Sequence, residues 1–137
     1  QLCRHDQQEG TFTIALAVAL KKLGFDVSLY TDPDPNIDEK EKQSYLDAQG
    51  LQIPIQAALS YSEIQQAFEN GHFVIVFYDT LHGVGNQSLI YSIDEQEISF
   101  CDHFEVMSKS TFEQQRQADG ICRQVIVVEQ PLDNYPI

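Results

Sequence analysis

Residues 60–102 constrain the fold more than any other part of the chain, because they prescribe a run of elements with little freedom in how they connect. Ser60 with Glu63 three residues later forms a capping box, and Ile64, Ala67 and Phe68 then recur at helical spacing. Asn70 and Gly71 stop that helix. HFVIVFYD follows, a continuous apolar run that predicts a central strand. After the polar loop TLHGVG come two strand-like stretches, Ser88 to Ile93 and Glu97 to Cys101, joined through Asp94, Glu95 and Gln96. A helix, a strand, a loop and a hairpin in this order already favour an antiparallel sheet.

The flanking segments extend the pattern. Thr11 to Leu23 carries apolar residues at Phe12, Ala15, Leu16, Ala19, Leu20 and Leu23, with Thr11 as N-cap and Gly24 in the C-cap place. Ile14, Ala17 and Val18 widen its apolar surface. Phe25 to Tyr30 alternates like a strand, and Asp32 to Asn36 is a proline-stiffened turn. Asp38 to Gln49 predicts an exposed helix anchored by Tyr45 and Leu46, followed by a short strand from Leu51 to Ile55. Ser110 with Glu113 predicts a second capping box and a helix to about Asp119. Ile121 to Glu129 predicts a last strand. The order α-β-α-β-α-β-β-β-α-β has consecutive strands without intervening helices, which points to an α+β domain with a largely antiparallel sheet packed against helices.

A chain of 137 residues is sized for one domain with a single core, 1–137. Phe73 to Tyr78 is far too short to span a bilayer, so no membrane insertion is expected. The net charge is −13. Eight Lys and Arg are too few to neutralise a phosphate backbone, which argues against nucleic acid. An anionic membrane surface would repel the chain. The charge serves solubility and would steer a basic peptide or protein partner toward it.

Cys3, Cys101 and Cys122 show neither CxxC nor a zinc spacing. Cys101 and Cys122 sit in apolar strands and read as buried small hydrophobes, and the odd count favours a reducing, cytoplasmic setting. No metal or cofactor is implied. His82, Asp102 and His103 could be drawn together as ligands only against strand alternation, which sends Asp102 and His103 to opposite faces. His72 reads as an edge histidine. Asp32, Asp34, Asn36 and Asp38 alternate like oxygen ligands but lack the glycine and terminal glutamate of a calcium loop, and read as a solvated acidic loop.

With these elements in place, the chain resembles the bacteriocin-processing, double-glycine-type cysteine peptidases, which have a papain-like fold. Within them it is nearest to the branch that includes the guanylyl-cyclase-domain-containing proteins and related bacterial peptidase-like families. The likeness is one of organisation and spacing over Thr11 to Glu129. It lies in FTIALAVALKKLGFDVSLYT, in SYSEIQQAFENGHFVIVFYD before the hairpin, and in STFEQQRQADGICRQVIVVE at the end. In the family a histidine opens the hairpin's first strand and an Asp or Asn closes its second. Here these positions hold Asn86 and Asp102, and His103 replaces the following proline. The family's nucleophile is a cysteine at the start of an earlier helix. The resemblance places that helix before Gln1, or else places the nucleophile position near Thr11 or Thr13.

The substitution at Asn86 decides what the resemblance implies. A cysteine nucleophile needs a neighbouring imidazolium to hold it as thiolate, and the same imidazole protonates the leaving amine. An amide can do neither, and loss of the base costs on the order of a thousandfold or more. The resemblance therefore implies a peptide- or partner-binding module with an incomplete triad, associated with a missing N-terminal segment or a larger assembly. The alternative is an active cysteine peptidase, amidase or deamidase. Its nucleophile would be Cys3, beside His5, or lie in a missing segment, with His82 swinging into the base position or a partner residue as base. A third reading is a purely structural domain of a larger assembly.

Overall fold

The computed structural model describes residues 13–33, 39–79, 85–118 and 121–129. Their order is α1 (Thr13–Lys22), β1 (Asp26–Thr31), α2 (Glu39–Gly50), β2 (Ile55–Ala57), α3 (Tyr61–Glu69), β3 (Phe73–Asp79), β4 (Gly85–Ile93), β5 (Glu97–Phe100), β6 (His103–Ser108), α4 (Lys109–Arg116) and β7 (Val125–Glu129). The strands form one seven-stranded sheet in the order β2-β1-β7-β3-β4-β5-β6. Only β1 and β2 run parallel; every other pairing is antiparallel. The fold is thus mixed α/β with a mostly antiparallel sheet.

Each sheet face carries its own core. On one face Val74, Val76 and Tyr78 of β3 pack with Ile90, Ile98, Phe100, Val125 and Val127 beneath Tyr61 and Ile64 of α3 and Phe112 of α4. The rings of Tyr78 and Phe100 stack at 5.0 Å, and Phe112 meets Tyr61 and Tyr78 edge-on. On the other face Ile14, Ala17 and Val18 of α1 and Ala48 of α2 cover Val27, Leu29, Ile126 and Val128.

Local chemistry explains the element ends. The capping box at Ser60 forms in both directions: Glu63 N–H donates to Ser60 Oγ at 3.1 Å, and Ser60 N–H to Glu63 Oε1 at 2.8 Å. Gly71 takes φ +93° just after α3, a backbone region open to glycine. Asp94 Oδ1 accepts the N–H groups of Gln96 and Glu97, which closes the hairpin turn. Tyr61 Oη donates to the Asp94 carbonyl at 2.8 Å and ties α3 to that turn. Burial, with the Asp94 carboxylate adding to it, pushes the Tyr61 phenol up to about 12.

Several expectations need correction. HFVIVFYD supplies the central strand of the seven, as expected, but β3 alternates and leaves Phe73 at 45% exposure, and the strand buried on both faces is β7. In α1 the buried side is Thr13, Ile14, Ala17 and Val18, while Ala19 and Leu23 face solvent. Two apolar stripes compete on that helix, and packing against α2 and the sheet selects the one with the branched residues. Leu46 is 59% exposed; the anchor of α2 is the wholly buried Ala48, with Tyr45 beside it. The strand read at Leu51 to Ile55 begins only at Ile55. The last strand begins at Val125, because Cys122 and Arg123 adopt left-handed backbone at φ +54° and +47°. A strand absent from the sequence reading, β6, follows the hairpin directly. Ser108, rather than Ser110, caps α4 by accepting from the Thr111 N–H. Cys101 is exposed in a turn and Cys122 half-buried in another, so neither is a core residue of a strand.

Candidate functional site

Register on β3 and β4 builds the site. Tyr78 lies opposite Asn86 and Val76 opposite Ser88, which sends all four side chains to the face beneath α3 and α4. Gly85, just before Asn86, lets β4 pass close to Phe77: a methyl group there would stand 2.7 Å from the Phe77 ring. Beyond β5, Cys101 N–H donates to the Leu89 carbonyl at 2.9 Å and swings Asp102 beside Ser88.

Four polar side chains meet there. Asn86 Nδ2 donates to Tyr78 Oη at 3.0 Å and to Ser88 Oγ at 3.2 Å. Ser88 Oγ donates to Asp102 Oδ2 at 3.1 Å, and the hydroxyls of Tyr78 and Ser88 lie 3.1 Å apart. A carboxylate only accepts, so the single Ser88 proton points at Asp102.

Asn86 and Asp102, expected as the base position and its orienting partner, are thus joined, but through Ser88 rather than directly. Asp102 stands in the turn after β5 instead of closing the strand, and it acts on a hydroxyl. Ser88 is buried at 3% exposure, and these hydrogen bonds fix the geometry of the four side chains. His103 opens β6 across the turn, paired with Phe100. Cys3, His5, His82, Thr11 and 34–38 lie outside the described residues. Among those described, no three His, Cys, Asp or Glu side chains gather as metal ligands.

The start of α1 meets the sheet from the other face. Gln87 Nε2 donates to the Thr13 hydroxyl at 3.0 Å, and Thr13 is 2% exposed. Gln87 alternates with Asn86 along β4, so the sheet itself separates Thr13 from Asn86. The position that meets the helix start is Gln87. On this second face Phe73 (45%), Tyr91 (70%) and Val106 (55%) remain exposed on the strands beyond β7.

Two sites escaped the sequence reading. Ser88 reads as an ordinary polar position on a strand; its signal is that it shares a face with Asn86 two residues earlier. Asp32, read as part of a solvated loop, makes a two-point ion pair with Arg123: Nε to Oδ2 at 2.7 Å and Nη2 to Oδ1 at 2.9 Å. Those hydrogen bonds from Arg123 hold the Asp32 carboxyl below the usual range, against the opposing effect of burial. Nearby Arg116 is wholly buried, with Nη1 3.3 Å from Glu113 and Nη2 donating to the Arg123 carbonyl; its Nε has no partner among the described residues. Burial pushes its pKa down.

The class that fold and site define is a mixed α/β domain with a mostly antiparallel sheet and a hydroxyl–amide–carboxylate cluster at the base of a hairpin. No family model matches the chain, nor does any curated protein or solved structure. Among the described residues no helix is long and apolar enough to cross a membrane.

Proposed function

We propose that this chain is a peptide- or partner-binding domain of the papain-like, bacteriocin-processing peptidase type that does not hydrolyse what it binds. One observation carries the reading: Asn86, in the position of the family's histidine, spends its amide N–H groups on Tyr78 and Ser88, and Asp102 is engaged by Ser88. A carboxylate engaged by a hydroxyl, with an amide in the base position, does not poise a thiolate or protonate a leaving amine. The separation of Thr13 from Asn86 by the sheet supports the same reading, since a nucleophile at the start of α1 would lie out of reach of a base at Asn86.

The experiment is to incubate the chain and its Asn86→His variant with a quenched-fluorescent peptide library, reading both fluorescence release and the mass of peptides retained on the protein. Retained peptides of unchanged mass, with no release from either protein, are the expected result. Release that a thiol alkylating agent abolishes would overturn the reading in favour of a cysteine peptidase. Absence of both release and retention would overturn it in favour of a purely structural domain.

A further inference from the structure

Among the described residues the sheet ends at β2, beside an open cavity. β2 has only three residues, Ile55, Gln56 and Ala57, and all three are exposed. Among the described residues it pairs with β1 alone, in parallel, with Leu29 opposite Ile55 and Thr31 opposite Ala57. Leu29 N–H donates to the Pro54 carbonyl at 2.9 Å, which sets the ladder. In a parallel pair a residue bonds to the two neighbours of its opposite number. The groups directed at β1 are therefore those of Pro54 and Gln56. The N–H and C=O of Ile55 and of Ala57 point away from the sheet. Two donors and two acceptors stand in line, spaced for one more strand.

A cavity of about 470 Å³ adjoins this edge, lined by Thr31, Pro33, Tyr45, Ile55, Gln56 and Ala57. Its carboxylate, on Asp32, is already held at both oxygens by Arg123. The Tyr45 and Pro33 rings and the short aliphatic side chains give the lining its apolar character. That chemistry accepts an apolar side chain.

We infer that β2 and this cavity form a docking site for an extended peptide segment, which adds to the sheet as an eighth strand, places an apolar side chain beside Tyr45 and carries flanking Lys or Arg. Two observations select this occupant over a second copy of the chain. A three-residue edge is roughly 10 Å long, far short of what a stable dimer buries. Two chains of −13 also repel each other, whereas the same charge draws in a cationic segment. The site lies apart from the Asn86 cluster and stands whether or not the peptidase-like reading does.

The test uses the full chain and a fluorescein-labelled probe, Lys-Lys-Thr-Val-Thr-Val-Thr-Lys-Lys, with a Glu-flanked version as control. Fluorescence anisotropy reports affinity, and amide hydrogen exchange reports location. The expected result is binding of the Lys-flanked probe that weakens with salt, together with new protection at the Ile55 and Ala57 amides. Ala57→Pro removes one outward donor without touching the β1 ladder, so it should weaken binding about tenfold. A circular dichroism melt shows whether that variant folds; if it does not, the exchange footprint of the unmutated chain decides. Absence of binding at millimolar probe overturns the proposal. So does binding with protection elsewhere, or equal affinity for the Glu-flanked probe. Protection at Ile55 and Ala57 that appears without peptide and grows with protein concentration would mean a second copy, and overturns it too.

Discussion

Ser88 is the residue on which the hairpin's polar cluster turns. It accepts from Asn86, lies against Tyr78 Oη and donates to Asp102, all from a position 3% exposed. Ser88→Ala would leave one Asn86 N–H short of an acceptor and remove the hydroxyl that donates to Asp102, at a position 3% exposed. The cost should be about 1–3 kcal/mol in urea denaturation; a change within error would mean that water replaces the hydroxyl freely. Asn86 and Asp102 were singled out by the family resemblance, and the structure joins them through Ser88. Ser88 itself was not singled out. Its importance comes from what stands opposite and beside it, and a serine in a strand carries no such mark by itself.

At the scale of elements, the start of α4 shows how a neighbour overrides a local motif. Ser110 with Glu113 satisfies the capping-box pattern, yet Ser108 is the cap, with extended backbone at φ −68° and ψ 154°. Pairing of Ser108 with Glu97, and the bond from Lys109 N–H to the Gln96 carbonyl at 2.8 Å, hold β6 extended up to that residue. The helix then begins at once, Ser110 falls inside its first turn, and Glu113 is left to pair with Arg116. Ser108→Ala should cost about 1 kcal/mol, and Ser110→Ala less than about 0.5 kcal/mol, both by chemical denaturation. The reverse ranking would move the helix start. By contrast the box at Ser60 was readable as it stands, since the chain before it is free to adopt the cap.

For the whole molecule, the ion pair of Asp32 and Arg123 joins the end of β1 to the turn that leads into β7. Asp32 N–H also donates to the Cys122 carbonyl at 2.8 Å, so the pair braces two consecutive left-handed residues. Arg123 holds the Asp32 carboxyl below its usual range. A carboxylate depressed in the folded state contributes stability above its unfolded pKa of about 4, and that contribution fades as pH falls through the lower folded value. The gap in melting temperature between the unmutated chain and Asp32→Asn should therefore be full at neutral pH and close in acid below about pH 4. With the two side chains 34% and 36% exposed, the gap corresponds to no more than about 1 kcal/mol. A gap that persists in acid would assign the effect to packing instead of charge.

What the sequence determined by itself is what a few neighbouring residues can settle. The helix-forming stretches, the capping box at Ser60, the stop at Gly71 and the hairpin with its Asp94 turn all follow from spacings of two to four residues, and consecutive strands foretold an antiparallel sheet. The tertiary structure decided the rest. It inserted β7 between β1 and β3, chose the Ile14, Ala17 and Val18 side of α1, and put Thr13 and Asn86 on opposite faces. Those outcomes depend on pairings between residues far apart in the chain, such as Asp26 with Glu129, and on which of two apolar stripes buries more surface against the sheet. A local pattern states that a face is apolar; only the assembled sheet states what lies against it.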